Sequence, residues 1–317
     1  ACNEVICIII HQPRMKPAIR LEQVTKQFGS FTAVSNLDME VKAGEIYGFL
    51  GPNGSGKSTT LRMLLSLIKP TSGNIEVFGH NMNVSRNKIM GNIGCIIEKP
   101  DFYGYLSAQK NIELMARANG LKYTAQNYLD LFELVGLNGR QQDKVKTYSH
   151  GMKQRLGLAQ ALVHDPNLII LDEPNTGLDP QGIIDLRTLL VKLNQERGKT
   201  ILLSSHILSE IETIADSMIV LNKGKTVAQG RVQELLSNED LHVEVEIEND
   251  MAQAISLVQN SQWAKQYAGQ ENNVLRFELA KAEIANLNQF LTQGNIRVQR
   301  IEFKRQLEAY FLKMTHN

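Results

Sequence analysis

Residues 51–59 read Gly-Pro-Asn-Gly-Ser-Gly-Lys-Ser-Thr, directly after the apolar run Ile46-Tyr47-Gly48-Phe49-Leu50. The apolar run predicts a buried strand. The glycine-rich stretch predicts a tight loop, and Thr59-Thr60-Leu61-Arg62-Met63-Leu64-Leu65 continues as a helix opening at about Lys57. The spacing fits G-x-x-x-x-G-K-[ST]. Glycines let the backbone curl so that successive N–H groups of Gly51, Pro52, Asn53, Gly54, Ser55, Gly56, Lys57, Ser58 and Thr59 (Pro52 itself has none) converge on phosphate oxygens. The helix start adds its positive dipole end. Lys57 is expected to reach the outer phosphates of a nucleotide, and the Ser58 hydroxyl to hold Mg²⁺. A glycine-rich turn with a chance lysine is the alternative, and the flanking strand and helix speak against it.

The rest of the chain alternates in the way such a loop requires. Leu168-Ile169-Ile170-Leu171, Thr200-Ile201-Leu202-Leu203-Ser204 and Ser217-Met218-Ile219-Val220-Leu221 are continuous apolar runs, as expected of parallel strands buried on both faces. Helical segments at 181–196 and 207–214 separate them. Strand–helix alternation of this kind implies a parallel α/β core covered on both sides. Ahead of the loop, residues 18–24 and 33–41 read as strands; after it, Lys69-Pro70-Thr71-Ser72-Gly73 reads as a breaker, and 74–79 and 93–97 as further strands. From about 105 to 165 helix-period segments dominate, among them 108–119 and 124–135. We expect a helical insertion there, within about 100–165. The tail from about Glu239 changes texture: a clean alternation at 242–248, then helix (251–259), strand (274–279), helix (281–291), strand (296–303) and a last helix (306–314). That is a small α+β unit. The expected organisation is an N-terminal extension at 1–17, a nucleotide-binding domain at 18–235 and an accessory domain at 236–317, with Met15 read as a natural start.

Composition excludes several classes. The 317 residues carry a net charge of +1 with mixed signs and 6% aromatics, so neither a basic nucleic-acid face nor a base-stacking platform is indicated. Three cysteines, Cys2, Cys7 and Cys95, are too few and scattered for a disulfide framework and point to a reducing compartment. Cys2, Cys7 and His11 lack a fourth metal ligand. No run of about 18 apolar residues is present, so no bilayer span is expected.

Two further motifs narrow the field. Leu168-Ile169-Ile170-Leu171-Asp172-Glu173-Pro174 ends an apolar strand in two carboxylates at the carboxyl end of the sheet. Asp172 there can hold Mg²⁺ through water, and Glu173 can polarise an attacking water as general base. Upstream, Tyr148-Ser149-His150-Gly151-Met152-Lys153-Gln154-Arg155 resembles the LSGGQ signature of the ABC ATPases. The order phosphate loop, signature, Asp172-Glu173, Gly177-Leu178-Asp179 and His206 is similar to that family throughout, over about residues 18–235. The resemblance implies a P-loop NTPase fold, ATP and Mg²⁺ as ligands, ATP hydrolysis, and two such domains facing head to tail as a homodimer around two ATPs. It implies that Phe28 stacks on adenine, that Ser149 and Gly151 donate to the γ-phosphate held by the opposite copy, that Asp179 links the two sites, and that His206 contacts the γ-phosphate and helps hold the water near Glu173.

The chain departs from the family pattern at two places. Glu98, in Ile96-Ile97-Glu98-Lys99-Pro100, stands where the family has a Mg²⁺-ligating glutamine. A carboxylate oxygen carries charge there where an amide does not. In the signature, His150 and Met152 replace a glycine and a glutamine. Together with the ending 306–315, Gln-Leu-Glu-Ala-Tyr-Phe-Leu-Lys-Met-Thr, these features resemble the ATPase subunits of bacitracin and lantibiotic immunity exporters of the ABC-2 type. That group implies separately encoded membrane permease subunits, a peripheral place on the cytoplasmic face of the membrane, and no nucleic acid as partner. Its permeases insert a coupling helix near residues 98–112. Other ABC-2-type drug or ion exporters remain open on the same motifs, as does a soluble ABC ATPase acting on ribosomes or DNA. A single phosphate loop and a short insertion argue against the last.

Overall fold

The computed structural model describes residues 16–236, 240–248 and 251–305. The expectations for the N-terminal extension up to residue 15, for Cys2, Cys7, His11 and Met15, and for the last helix and the ending at 306–315 lie outside the described residues.

In chain order the elements are β1 (Ile19–Phe28), β2 (Phe31–Val41), β3 (Ile46–Leu50), α1 (Lys57–Leu64), β4 (Ser72–Val77), β5 (His80–Asn81), α2 (Met82–Met90), β6 (Ile93–Ile96), α3 (Ala108–Ala118), α4 (Ala125–Leu134), α5 (His150–Leu162), β7 (Leu168–Leu171), α6 (Pro180–Arg197), β8 (Thr200–Ser205), α7 (Leu208–Glu212), β9 (Ser217–Asn222), β10 (Lys225–Arg231), α8 (Val232–Leu236), β11 (Asp240–Ile247), α9 (Met251–Gln259), β12 (Tyr267–Glu271), β13 (Val274–Ala280), α10 (Ile284–Gln293) and β14 (Val298–Arg305). Among the described residues no helix is long and apolar enough to cross a membrane.

Three sheets organise them. The central sheet has six strands in the order β10-β9-β3-β8-β7-β6. Its pairings are parallel except for β10, which returns antiparallel along β9. Every residue of β3, β7 and β8 is buried, as a parallel sheet covered on both faces requires. Side chains of alternate residues leave on opposite faces. Thus Ile169, Leu171, Ile201 and Leu203 pack with Ile112, Phe132, Leu156, Leu158 and Leu186 of the helices. Leu168, Ile170 and Leu202 pack with Leu61 and Leu64 of α1 and with Leu21, Leu37 and Ile75 of a second sheet.

The core is covered on both sides, as expected, but the two covers differ. One face carries an antiparallel sheet of four strands, β2-β1-β4-β5, together with α1 and α2. The breaker also ends earlier than expected: Ser72 and Gly73 already belong to β4. The 207–214 helix shortens to α7, and the 281–291 helix opens as a single 3-10 turn at Lys281–Glu283 before α10.

The third sheet, β12-β13-β11-β14, is antiparallel throughout and has its own apolar core, including Val243, Val245, Trp263, Phe277, Leu287 and Leu291. With α9 and α10 it follows the order βαββαβ, the split βαβ arrangement of ferredoxin-like folds. Its other face is ionic: Arg276 pairs with Glu244 and Glu271, and Arg300 with Glu246 and Glu302.

Candidate functional site

Parallel strands place their carboxyl ends side by side, and loops leaving those ends meet there. β3 delivers the loop 51–56, β7 delivers Asp172 and Glu173, and β8, lying between β3 and β7, delivers Ser204, Ser205 and His206. Gly56 turns the chain into α1 at φ 106°, and a Cβ at that position would sit 2.6 Å from the Ala33 carbonyl oxygen. Only glycine fits this backbone.

Lys57 is 5% exposed and donates to the carbonyls of Gly51 at 2.6 Å and Pro52 at 3.2 Å. Its ammonium also lies 3.4 Å from Glu173 Oε1. Burial lowers its pKa, and the carboxylates of Glu173 and Asp172 oppose that shift. The second carboxylate oxygen of Glu173 accepts from His206 Nδ1 at 2.7 Å, so the proton of that pair sits on Nδ1. Glu173 has φ 46°, an uncommon backbone for a residue with a side chain. It is held there by its N–H, which donates to Ser204 Oγ at 2.9 Å, while the Ser204 hydroxyl donates to Asp172 Oδ1. Ser204 is fully buried.

The structure therefore brings Lys57, Asp172, Glu173 and His206 into one cluster. Ser149, Gly151 and Asp179 form a second group. Ser149 caps α5 by accepting from Met152 N–H, and Asp179 caps α6 by accepting from Gly182 N–H. Leu178 lies beside Gly151. No hydrogen bond or ion pair among the described residues joins these three to Lys57 or Glu173. Glu98 stands apart from both groups: its carboxylate is paired with Arg62 on α1, at the surface, and its backbone has φ 62°. Phe28 is 49% exposed, with the Lys26 ammonium 4.8 Å from its ring centroid.

Three contributors were not legible as site residues: Ser204, Gln154 and Arg62. Buried Gln154 on α5 donates to the Pro174 carbonyl at 3.1 Å. The one sequence signal for Ser204 was a polar pair, Ser204-Ser205, closing an apolar strand.

A nucleoside triphosphate with Mg²⁺ fits this donor set. The helices α2 to α6 each carry a side-chain cap, whereas α1 has glycine at its N-cap and none. Its first-turn N–H groups are the ones an anion would satisfy. Ser55 Oγ is buried beside them without a partner. Hydroxyl and carboxylate oxygens of Ser58 and Asp172 are the hard donors Mg²⁺ prefers.

A family model described as ABC transporter matches residues 34–176. The chain is 40% identical over 302 residues to the bacitracin transport ATP-binding protein BcrA of Bacillus licheniformis, spanning 95% of this chain and 98% of that protein. The chain belongs to the ABC transporter ATP-binding proteins. As an ABC ATPase it has the α/β P-loop NTPase fold, and its family binds and hydrolyses ATP. It is also 38% identical over 229 residues to the lantibiotic transport ATP-binding protein SrtF of Streptococcus pyogenes, covering 70% of this chain and 97% of that one. The dimeric, post-hydrolysis ATP-binding cassette MJ0796 bound to ADP and Pi superposes with a TM-score of 0.62 and 28% identity, over 68% of this chain and 98% of that chain.

Proposed function

We propose that this ABC ATPase drives a membrane exporter for peptide antibiotics, from the cytoplasmic face of the membrane and with separately encoded permease subunits. One observation carries the reading: the similarity to BcrA runs through nearly the whole chain, including the C-terminal βαββαβ unit. The similarity to SrtF adds a second relative whose name refers to peptide antibiotics.

In this reading the phosphates of ATP are held by the N–H groups at 53–59, and Lys57 exchanges the Gly51 and Pro52 carbonyls for the outer phosphates. Phe28 offers its open ring face to adenine. Mg²⁺ would be held by Ser58 and Asp172, with Glu98 joining them once it leaves Arg62, and would neutralise phosphate charge. Glu173 accepts the proton of the attacking water. His206, already bonded to Glu173 through Nδ1, orients that carboxylate, and its Nε2 would donate to the γ-phosphate when both ring nitrogens carry protons. Ser149 and Gly151 complete the site of a second copy, with the α5 N-terminus behind them, and Asp179 links the two sites. Closing and reopening of this homodimer passes to the permease at 98–112, where Tyr103 and Tyr105 stand exposed and edge to face.

The test is susceptibility. Cells lacking the chain should become more sensitive to bacitracin- or lantibiotic-type peptides. The wild-type chain should restore resistance, and the Glu173→Gln variant should not. Unchanged sensitivity to these peptides, with a shift toward an unrelated drug or an ion, would move the assignment to another ABC-2-type exporter.

A further inference from the structure

The N-terminal end of α5 aims two side chains at one stretch of backbone. His150 Nε2 lies 3.1 Å from the Thr176 carbonyl oxygen, and Gln154 donates to the Pro174 carbonyl at 3.1 Å. Residues i and i+4 share a helix face, so the two contacts act side by side. A carbonyl only accepts, so Nε2 carries the proton of the His150 bond. Both acceptors lie in the segment that begins at Glu173. Two turns tie that segment to itself: Thr176 N–H donates to Glu173 O and Leu178 N–H to Asn175 O, each at 3.1 Å. Gly177, at φ 78°, leaves the space the imidazole needs, since a Cβ there would lie 2.7 Å from Nε2. A displacement of the α5 N-terminus is thereby carried by short, hydrogen-bonded backbone to a glutamate already held in an uncommon conformation.

We propose that the N-terminal end of α5 is a two-point clamp on the Glu173 loop, and that His150 and Gln154 are positioning residues for its carboxylate. The clamp gives the histidine that replaces a signature glycine a defined task within its own subunit. This inference rests on Glu173 being the general base. Gln154 is buried and braces the core, whereas His150 is exposed, so its bond can be removed without opening a cavity.

The experiment compares His150→Gly and His150→Gln in the full chain. Loss of one positioning hydrogen bond should lower kcat about 3- to 10-fold in His150→Gly, with KM within about twofold. His150→Gln keeps an N–H donor and should retain at least about half the wild-type kcat. In a Glu173→Gln background, ATP-driven dimer formation followed by light scattering should be equal for His150 and for His150→Gly. The clamp is refuted by unchanged kcat in His150→Gly. It is refuted equally by the same kcat loss in both variants, or by loss of ATP-driven dimerisation with His150→Gly, which would place the imidazole on nucleotide or partner. Normal turnover by Glu173→Gln alone would instead overturn the base assignment on which the clamp rests.

Discussion

Replacing Ser204 by alanine tests the geometry of the cluster more sharply than replacing any motif residue. The Ser204 hydroxyl is fully buried and joins two groups, accepting the Glu173 N–H at 2.9 Å and donating to Asp172 Oδ1. Alanine removes both bonds and leaves the Glu173 N–H without its partner. A buried donor left unsatisfied costs about 1–3 kcal/mol. Glu173 at φ 46° is already in a backbone region that costs about as much to occupy. The relaxed loop can recover both terms by moving the carboxylate off its position. If the penalty falls wholly on that placement, kcat drops about 5- to 150-fold. The assay is phosphate release at saturating ATP, with ATP affinity measured separately by titration and folding by thermal unfolding. We expect a large fall in kcat, affinity within about twofold, and a lowered midpoint of no more than about 5 °C. A kcat within twofold of wild type would refute the argument. So would a fall in kcat matched entirely by loss of folded protein.

Four other outcomes follow from the same geometry. Glu173→Gln removes the ion pair that competes with phosphate for Lys57, so ATP binding should strengthen several-fold while turnover stops; weaker binding in a titration would contradict this. Gly56→Ala places a Cβ 2.6 Å from the Ala33 carbonyl at φ 106°, so the loop must distort; the chain should stay folded by circular dichroism yet lose ATP binding, and retained affinity would count against the cradle. Glu98→Gln breaks a surface pair with Arg62 worth about 0–1 kcal/mol, so thermal stability should hardly move and ATP should still bind; transport, read as peptide resistance of cells, should change. Lys57 has a folded pKa below its unfolded value of 10.5, so the unfolded chain binds more protons just below that pH, and stability from this group rises with pH through the window. The difference in unfolding midpoint between wild type and Lys57→Met, scanned from pH 8 to 10.5 without nucleotide, should move in the wild type's favour as pH rises, and an opposite slope would refute it.

What could be read from the amino acids followed from how strongly each signal was local. β7 and its closing carboxylates were legible because a run of four apolar residues ending in Asp172-Glu173 leaves little freedom. The α1 start was legible because its glycines and lysine have one well-known geometry. β10 was not, since Lys225–Arg231 is an exposed edge with no apolar alternation and is held by its pairing to β9. β12 was missed for a similar reason: Tyr267–Glu271 is a glycine-containing edge strand that exists through its partner β13. α2 is polar and buries only Met82 and Ile89, so no stripe announced it. The same distinction separates the site residues. Lys57, Asp172 and Glu173 declare themselves by spacing. Ser204 meets Glu173 from 31 residues away, and Gln154 meets Pro174 from 20, so their contribution is made by topology.

The arrangement at Glu173 also ties the carboxylate we propose as general base to the lysine we propose to bind phosphate. One of its oxygens faces Lys57 and the other His206. Lys57 is held by two loop carbonyls and one carboxylate inside a buried pocket, an arrangement that a polyanion can outbid, since phosphates offer several charged acceptors at once. Drawing Lys57 onto phosphate frees Oε1 while His206 still fixes the other oxygen and hence the carboxylate plane. In the role we propose for Glu173, its carboxylate would thus be released by the same movement of Lys57 that seats the phosphates.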